Sequence, residues 1–395
     1  MNYNYLEEAC QLNDELVAYR RYLHANPELG LSLPGTKAYV MKALSDFGYQ
    51  PLEYGESGVA VLAGGKKPGK VFLIRADMDA LPIEEESGVP YASRIKGRMH
   101  TCGHDNHTAM LLGAAKLLKR HEDEIEGTVK ILFQPGEETL EGAKAMIADG
   151  ILENPRVDAA MGVHMMPLAP AGFVGYNAGV VCNSSDLLHI AIEGKGGHGA
   201  SPHLSVDPIN VGVHIHLALQ ELIAREVDPQ DQAALTFGEF HSGDAKNIIP
   251  KTAYLGGTLR TVRQETREYL LARIENCVEM TAKMFGAKAS LEIPASVSAL
   301  TVDETCADII GKGFSETLGK AAARVSQTTS GSEDFAEVSR LVPSMFFVVG
   351  GGDREHGYEF SGHHPKVRYD ETSLASGAAA FACGAKAYLA ANVKS

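Results

Sequence analysis

The chain has 395 residues, 45% hydrophobic and 22% charged, with 41 glycines, which is a globular composition with material for two or three domains. A net charge of −14, spread rather than gathered in a tail, disfavours phosphate backbones and excludes nucleic acid as the expected partner. No charged-then-apolar leader opens the sequence and no apolar run approaches 18 residues. Six cysteines, at 10, 102, 182, 277, 306 and 383, keep no framework spacing. The expectation is a cytoplasmic protein with reduced thiols and no membrane partner.

Leu6, Cys10, Asn13, Leu16, Arg20 and Leu23 fall near helical spacing, and Asn26-Pro27 stops that helix. A second helix is predicted over 36–47, ending at Gly48. Short apolar runs at 59–62, 71–74, 129–133 and 159–163 read as strands, with a strong helix at 108–120 among them. Strands alternating with helices predict an α/β domain whose mostly parallel sheet is covered on both faces. Near 185 the texture changes. Leu188, Ile190 and Ile192 alternate, an amphipathic helix follows at 208–225, and strands at 234–241 and 252–261, a helix at 265–285 and a strand through Ala289, Leu291 and Ile293 complete the set. That β-α-β-β-α-β order is a ferredoxin-like α+β unit. The α/β pattern then resumes, with a buried strand at 345–349. The expected organisation is a first catalytic part over 1–184, an inserted domain over 185–296, and a second catalytic part over 297–395.

Four clusters of metal-binding side chains accompany these strands. Cys102-Gly103-His104-Asp105 stands between a strand and a helix, Glu137 and Glu138 follow the 129–133 run, His164 closes the 159–163 run, and His363 lies in the loop after 345–349. Asp77 and Asp79 follow the 71–74 run. Ligands of open α/β sheets bind beyond the carboxyl ends of the strands, where these residues fall. Cys102 and His104 precede the 108–120 helix, whose N-terminal amides are expected to favour a thiolate. Taken singly, a Cys-x-His pair is more often structural or accidental, a Glu-Glu pair is solvated surface and a His-His-Pro is a turn. The joint placement favours a site. One thiolate, imidazoles and a carboxylate suit Zn²⁺, Mn²⁺, Co²⁺ or Ni²⁺ rather than Ca²⁺ or Mg²⁺. Five ligands exceed what one catalytic zinc takes and suit two divalent ions about 3.5–4 Å apart with a shared water. One glutamate then binds metal while its neighbour takes the water's proton. A closed structural zinc site would be local rather than dispersed over about 260 residues. His189, His214, His216 and His241 read as surface or core histidines.

Seven stretches resemble, in order, the aminoacylase/carboxypeptidase family of dinuclear metallopeptidases, in its hippurate hydrolase and auxin-conjugate amidohydrolase branch. They are Arg-Ala-Asp-Met-Asp-Ala-Leu-Pro at 75–82, Met-His-Thr-Cys-Gly-His-Asp at 99–105, Phe-Gln-Pro-Gly-Glu-Glu at 133–138, Gly-Gly-His-Gly-Ala-Ser-Pro-His at 196–203, Asn-Ile-Ile-Pro at 247–250, Gly-Thr-Leu-Arg-Thr at 257–261 and Ser-Gly-Ser-Glu-Asp-Phe at 330–335. The resemblance implies metal ligands Cys102, His104, Glu138, His164 and His363, with Cys102 bridging, and Glu137 as general base. It implies that Asp79 orients a ligand histidine. Other branches place His where Asp77 stands, so His104 supplies that imidazole here; Ser201, where many relatives carry Met, reads as neutral. His198 matches a residue that reaches the active site of the neighbouring subunit and polarises the scissile carbonyl. Asn247 and Arg260 match positions holding the substrate's carboxylate or carbonyl, Gly331 matches a backbone contact near the metals, and His203 is a weaker substrate contact.

The implied activity is hydrolysis of N-acyl amino acids to a carboxylic acid and a free amino acid, by a homodimer with two divalent ions per subunit, Zn²⁺ or Mn²⁺. A dipeptidase or carboxypeptidase on the same site is the nearest alternative. A non-catalytic acyl-amino-acid binder would lack a base or a ligand, and here every position is filled.

Overall fold

The computed structural model describes residues 4–325, 329 and 331–393, which divide into two compact units. The larger comprises Met1–Val181, Thr301–Gln327 and Asp334–Ser395, and the smaller comprises Cys182–Leu300 and Thr328–Glu333.

Four strands form the centre of the larger unit: β1 (Lys67–Asp77), β2 (Glu126–Gln134), β3 (Ala159–Met166) and β4 (Ser344–Gly350). They lie in the order β2-β1-β3-β4 and every pairing among them is parallel, so their carboxyl ends share one edge. Gly58–Gly64 and Leu52–Tyr54 extend the sheet antiparallel beyond β2; Val174–Tyr176 and Ala322–Arg324 extend it beyond β4. Gly58–Gly64 is the apolar run read at 59–62, whereas the three-residue strands Leu52–Tyr54, Val174–Tyr176 and Ala322–Arg324 are too short to register as runs in the sequence. β1 ends in six consecutive buried residues, as two-sided cover by helices requires.

The N-terminal helix expected as one is two, Tyr5–Gln11 and Asn13–Ala25, with Leu12 at the joint. The helix expected at 108–120 begins earlier. Helix α1 (His104–Arg120) is buried from His104 through Ala115, so only Cys102 and Gly103 precede it. Among the described residues one helix is long and apolar enough to cross a membrane by length and composition, Ser373–Ala391. It is a core element, packed against α1 and the Glu304–Leu318 helix and largely buried. Its alanines and glycines let three helices approach closely, and interspersed polar residues keep its sequence from reading as a continuous apolar run.

On β2, the side chain of Lys130 is buried and its Nζ donates to the carbonyls of Ile151, Glu153 and Pro155 at 2.8, 2.7 and 3.1 Å. Burial lowers its pKa to about 8. The three carbonyls satisfy a cation that would otherwise be costly on a central strand.

The smaller unit is a four-stranded antiparallel sheet in the order Ala233–His241, Thr252–Thr261, Ser185–Glu193, Lys288–Glu292, and Ser296–Val297 also pairs with Ser185–Glu193. Helices Pro208–Glu226 and Gln264–Met284 supply Val211, Ile215, Leu219, Leu270 and Ile274 to a core with Leu188, Ile190 and Leu255 from the strands. Its chain order is β-α-β-β-α-β, the ferredoxin-like pattern read from the alternation and helical spacing.

Candidate metal centre

The parallel register delivers the donors of the larger unit to one edge. Asp77 is the last residue of β1, Gln134 the last of β2, and His164 lies near the end of β3. Glu137 and Glu138 occupy the turn after β2. Cys102 and His104 flank Gly103, which takes φ +97°. A Cβ at 103 would lie 3.0 Å from Met165 Cγ, so glycine is needed both for the turn and for the close approach to β3.

Two trios of donors converge, with Cys102 in both. The donor atoms of Cys102, His104 and His164 lie within 4.8 Å of one another, and so do those of Cys102, Glu138 and His363. Cys102 Sγ is 3.3 Å from His164 Nε2 and 3.3 Å from His363 Nε2. His363 Nε2 is 3.6 Å from Glu138 Oε2, and His104 Nε2 is 3.9 Å from Glu138 Oε1. Glu137 Oε2 stands 3.7 Å from His104 Nε2 at the edge of this group.

The residues fit a pair of divalent ions. His104 Nε2 and Glu138 Oε1 are buried without a hydrogen-bond partner among the described residues, an arrangement a cation would satisfy. The other nitrogen of each buried or half-buried imidazole is already fixed: His104 Nδ1 donates to the Asp79 carbonyl at 2.8 Å and His164 Nδ1 to the Met165 carbonyl at 2.7 Å. This leaves each Nε2 lone pair facing the centre. His363 differs. Its backbone sits at φ +64°, strained for a residue with a Cβ, and its side chain is 57% exposed.

Asp79 meets His104 through two groups: its backbone carbonyl accepts from Nδ1 at 2.8 Å, and its carboxylate Oδ1 lies 3.5 Å from the same nitrogen. The two carboxylate oxygens also accept from the Glu137 and Glu138 amides at 3.0 and 3.1 Å, fixing the turn that carries both glutamates. The expectation of a favoured thiolate fails for the metal-free protein. Burial, followed by the charge of Glu138, pushes the Cys102 thiol well up. Burial also raises the Glu138 carboxyl to about 7, with Asp79 adding to it. Burial opposes the charge of His104, but Asp77 and Cys102 outweigh it and raise its pKa.

These directions set a pH dependence. An ion held by Cys102, His104 and Glu138 would displace their protons, and the pKa values of all three groups are raised, so its affinity would increase with pH. Calorimetric titration of the metal-free protein with Zn²⁺ near pH 6, in two buffers of different ionisation enthalpy, is expected to show release of about two or more protons over the two binding steps. No net proton release would contradict the assignment.

The smaller unit carries the other residues singled out in the sequence in two places, His198 and Asn247 by the start of the strand Thr252–Thr261 and Arg260 and Gly331 by its end. His198 is exposed in the two-residue strand Gly197–His198, paired with Ile248–Ile249, and the Gly199 amide donates to the Asn247 carbonyl at 2.9 Å. A Cβ at Gly199 would lie 2.9 Å from that carbonyl oxygen, which accounts for a glycine beside the histidine. His203 lies in the short 3₁₀ turn Pro202–Leu204 that follows. Arg260 is the penultimate residue of Thr252–Thr261; its Nη1 is buried with no hydrogen-bond partner among the described residues. Burial lowers its pKa. The Gly331 carbonyl accepts from the Asn183 amide at 3.0 Å, and the adjacent Ser184 amide donates to the Thr261 carbonyl, which sets Gly331 near the end of the strand bearing Arg260.

Sequence reasoning missed His107. It lies one helical turn from His104, fully buried, with its ring centroid 5.3 Å from that of His104 and 4.9 Å from that of His164. The i, i+3 spacing after His104 on an apolar helix was the available signal. Also missed was a buried set formed by Arg75, Gln134 and Asp334, in which Arg75 bridges Asp77 and Asp334 at 2.7 and 2.5 Å.

Comparison with known proteins gives the chain a family. A family model described as Peptidase family M20/M25/M40 matches residues 73–387. The N-acetyl-L-cysteine deacetylase of Bacillus subtilis is 38% identical over 368 residues, covering 92% of this chain and 85% of its own. Thermostable carboxypeptidase 2 of Saccharolobus solfataricus is 34% identical, covering 94% and 95%. The crystal structure of the Bacillus subtilis YXEP protein, a dinuclear metal binding peptidase from the M20 family, superposes with a TM-score of 0.82 at 30% identity over 96% of this chain and 99% of that one.

Proposed function

This chain belongs to peptidase family M20/M25/M40, and from that premise we propose that it hydrolyses the amide bond of N-acyl amino acids, releasing a carboxylic acid and a free amino acid. It is a hydrolase of linear amide bonds that uses two divalent metal ions and acts on a small molecule. The observation that carries the proposal is the pair of donor trios sharing Cys102 with a further carboxylate, Glu137, beside them. A structural site has no use for that extra carboxylate, whereas a hydrolytic one needs a base.

The ions would be held by Cys102, His104 and His164 on one side and by Cys102, Glu138 and His363 on the other, and would supply an acidified water and a polarised carbonyl. The donor set suits Zn²⁺ or Mn²⁺, with Co²⁺ or Ni²⁺ as substitutes. Glu137 takes a proton from the attacking water as the C–O bond forms at the acyl carbon. As the C–N bond breaks, the same carboxyl gives that proton to the leaving amino nitrogen. His198 donates a hydrogen bond to the carbonyl oxygen where negative charge develops. Arg260, whose buried Nη1 has no hydrogen-bond partner among the described residues, and Asn247 take the substrate's carboxylate; the Gly331 backbone contacts the substrate nearby, with His203 as a further contact.

In this reading the protein works as a homodimer in which His198 acts on the neighbouring subunit's substrate. Ile209, Val213 and Leu217 support an interface: they lie four residues apart on the helix Pro208–Glu226 and are 40%, 44% and 57% exposed. Cys10, Cys102, Cys277, Cys306 and Cys383 form no disulfide, and Cys102 must bind as a thiolate, which supports a reducing, cytoplasmic location.

A panel of N-acyl amino acids, matched N-acyl amines without a carboxylate and free dipeptides, assayed after metal reconstitution, tests the proposal. N-acyl amino acids are expected to be cleaved best. Arg260→Ala should raise KM for them roughly 10–100-fold, the worth of a charge-assisted hydrogen-bonded pair, and leave the amines unaffected. Preference for free dipeptides would replace this reading with the peptidase one, for which the Saccharolobus solfataricus carboxypeptidase is the precedent.

A further inference from the structure

We propose that His107 is a positioning residue that holds the end of β3 so that His164 can complete one of the two metal sites; the inference rests on the metal reading above. Its imidazole stands close enough to His104 and Asp77 to form a donor trio of its own. Both ring nitrogens, however, are already committed. Nδ1 bonds to Asp77 Oδ1 at 2.5 Å, and Nε2 lies 2.7 Å from the Met165 backbone nitrogen. A backbone amide only donates, so Nε2 is the acceptor and the proton sits on Nδ1, directed at the carboxylate. With its lone pair consumed by the Met165 amide, His107 has none left for a metal ion.

The reason for this contact lies in the sheet. β1 and β3 are in register from Phe72↔Ala159 to Arg75↔Gly162, and no pairing follows. β1 ends at Asp77, two residues beyond the last pair, while β3 continues to Met166. On that side the end of β3, which carries His164, is not paired with β1. The His107 ring takes the place of the missing strand carbonyl for the amide of the residue next to the ligand.

The ring is itself held by a fully buried series. Asp77 accepts from His107 with Oδ1 and from Arg75 Nη1 with Oδ2 at 2.7 Å. Arg75 Nη2 reaches Asp334 Oδ1 at 2.5 Å, and Asp334 also accepts from Gln134 Nε2 and from the Ala143 amide. The series therefore joins α1, the ends of β1 and β2, the Gly142–Ala148 helix and the segment at 334 to one amide of β3. An apolar residue at 107 would fill the space, but it would leave both the Met165 amide and the Asp77 oxygen without partners and free the His164 end of β3 to move.

The test measures Zn²⁺ affinity of the metal-free protein by competition with a chromophoric chelator, comparing wild type with His107→Leu, His107→Gln and His107→Asn, each checked by thermal midpoint. Glutamine retains an acceptor long enough to reach the Met165 amide. Asparagine, one methylene shorter, can reach Asp77 but not that amide. In the leucine and asparagine variants one of the two dissociation constants is expected to rise about 10–100-fold, the usual cost of losing an outer partner of a metal ligand. The other constant should stay within about threefold, and glutamine should restore most of the loss. Should the leucine variant not fold, the glutamine–asparagine pair carries the comparison. Wild-type affinity for both ions in the asparagine variant, equal weakening of both ions, or no difference between glutamine and asparagine would each overturn the assignment. If wild type binds two ions but cleaves no N-acyl amino acid, the substrate reading falls and this one stands. Failure of wild type to bind Zn²⁺ would sink both.

Discussion

Glu137→Gln is expected to lower kcat on N-acyl amino acids by about 10²–10⁴-fold, the contribution of a positioned general base, with about two ions still bound per chain. The separation of effects follows from the geometry. Glu137 borders the donor group, with Oε2 3.7 Å from His104 Nε2, but belongs to neither trio that shares Cys102. Its backbone amide is fixed by Asp79, and the substitution leaves that amide in place, so the turn bearing Glu138 is retained. KM should move by no more than a few-fold, because the lost interaction acts on the proton in flight rather than on bound substrate. Metal analysis alongside steady-state kinetics reads both halves. A glutamine variant with more than about a tenth of wild-type kcat would show that another group takes the proton.

Cys102→Ser is expected to weaken both ions together, each by more than about 100-fold, since even outer-sphere partners of metal ligands are worth 10–100-fold. Cys102 Sγ lies 3.3 Å from an imidazole nitrogen of each trio, so a change at this one atom acts on both sites. A serine hydroxyl is a poorer ligand than a thiolate for the ions this donor set suits. His363→Ala makes the contrast, because His363 belongs to one trio only and sits on a strained, exposed backbone. It should release one ion and leave the Cys102–His104–His164 site filled. Chelator competition resolves the two cases. A serine variant that keeps one ion at wild-type affinity would remove Cys102 from its shared position.

The sequence by itself determined the chemistry of the donors and the order of the elements that carry them. A thiol, imidazoles and paired carboxylates are side-chain identities, and their places after apolar runs can be read from local pattern. The alternation of 188, 190 and 192 and the helical spacing of Val211, Ile215 and Leu219 likewise specify a β-α-β-β-α-β unit with no long-range information. Only the tertiary structure decided which donors meet. Cys102 and His363 are 261 positions apart, and their 3.3 Å approach depends on parallel strand register and a left-handed loop. The same holds for Asp79, whose carboxylate is taken by two amides from the end of another strand, and for His107, whose sequence reads as an ordinary helical histidine. It acquires an amide to hold because the pairing of β1 with β3 stops at Arg75 and Gly162, and the point where two neighbouring strands part is settled by packing rather than by any residue near position 107.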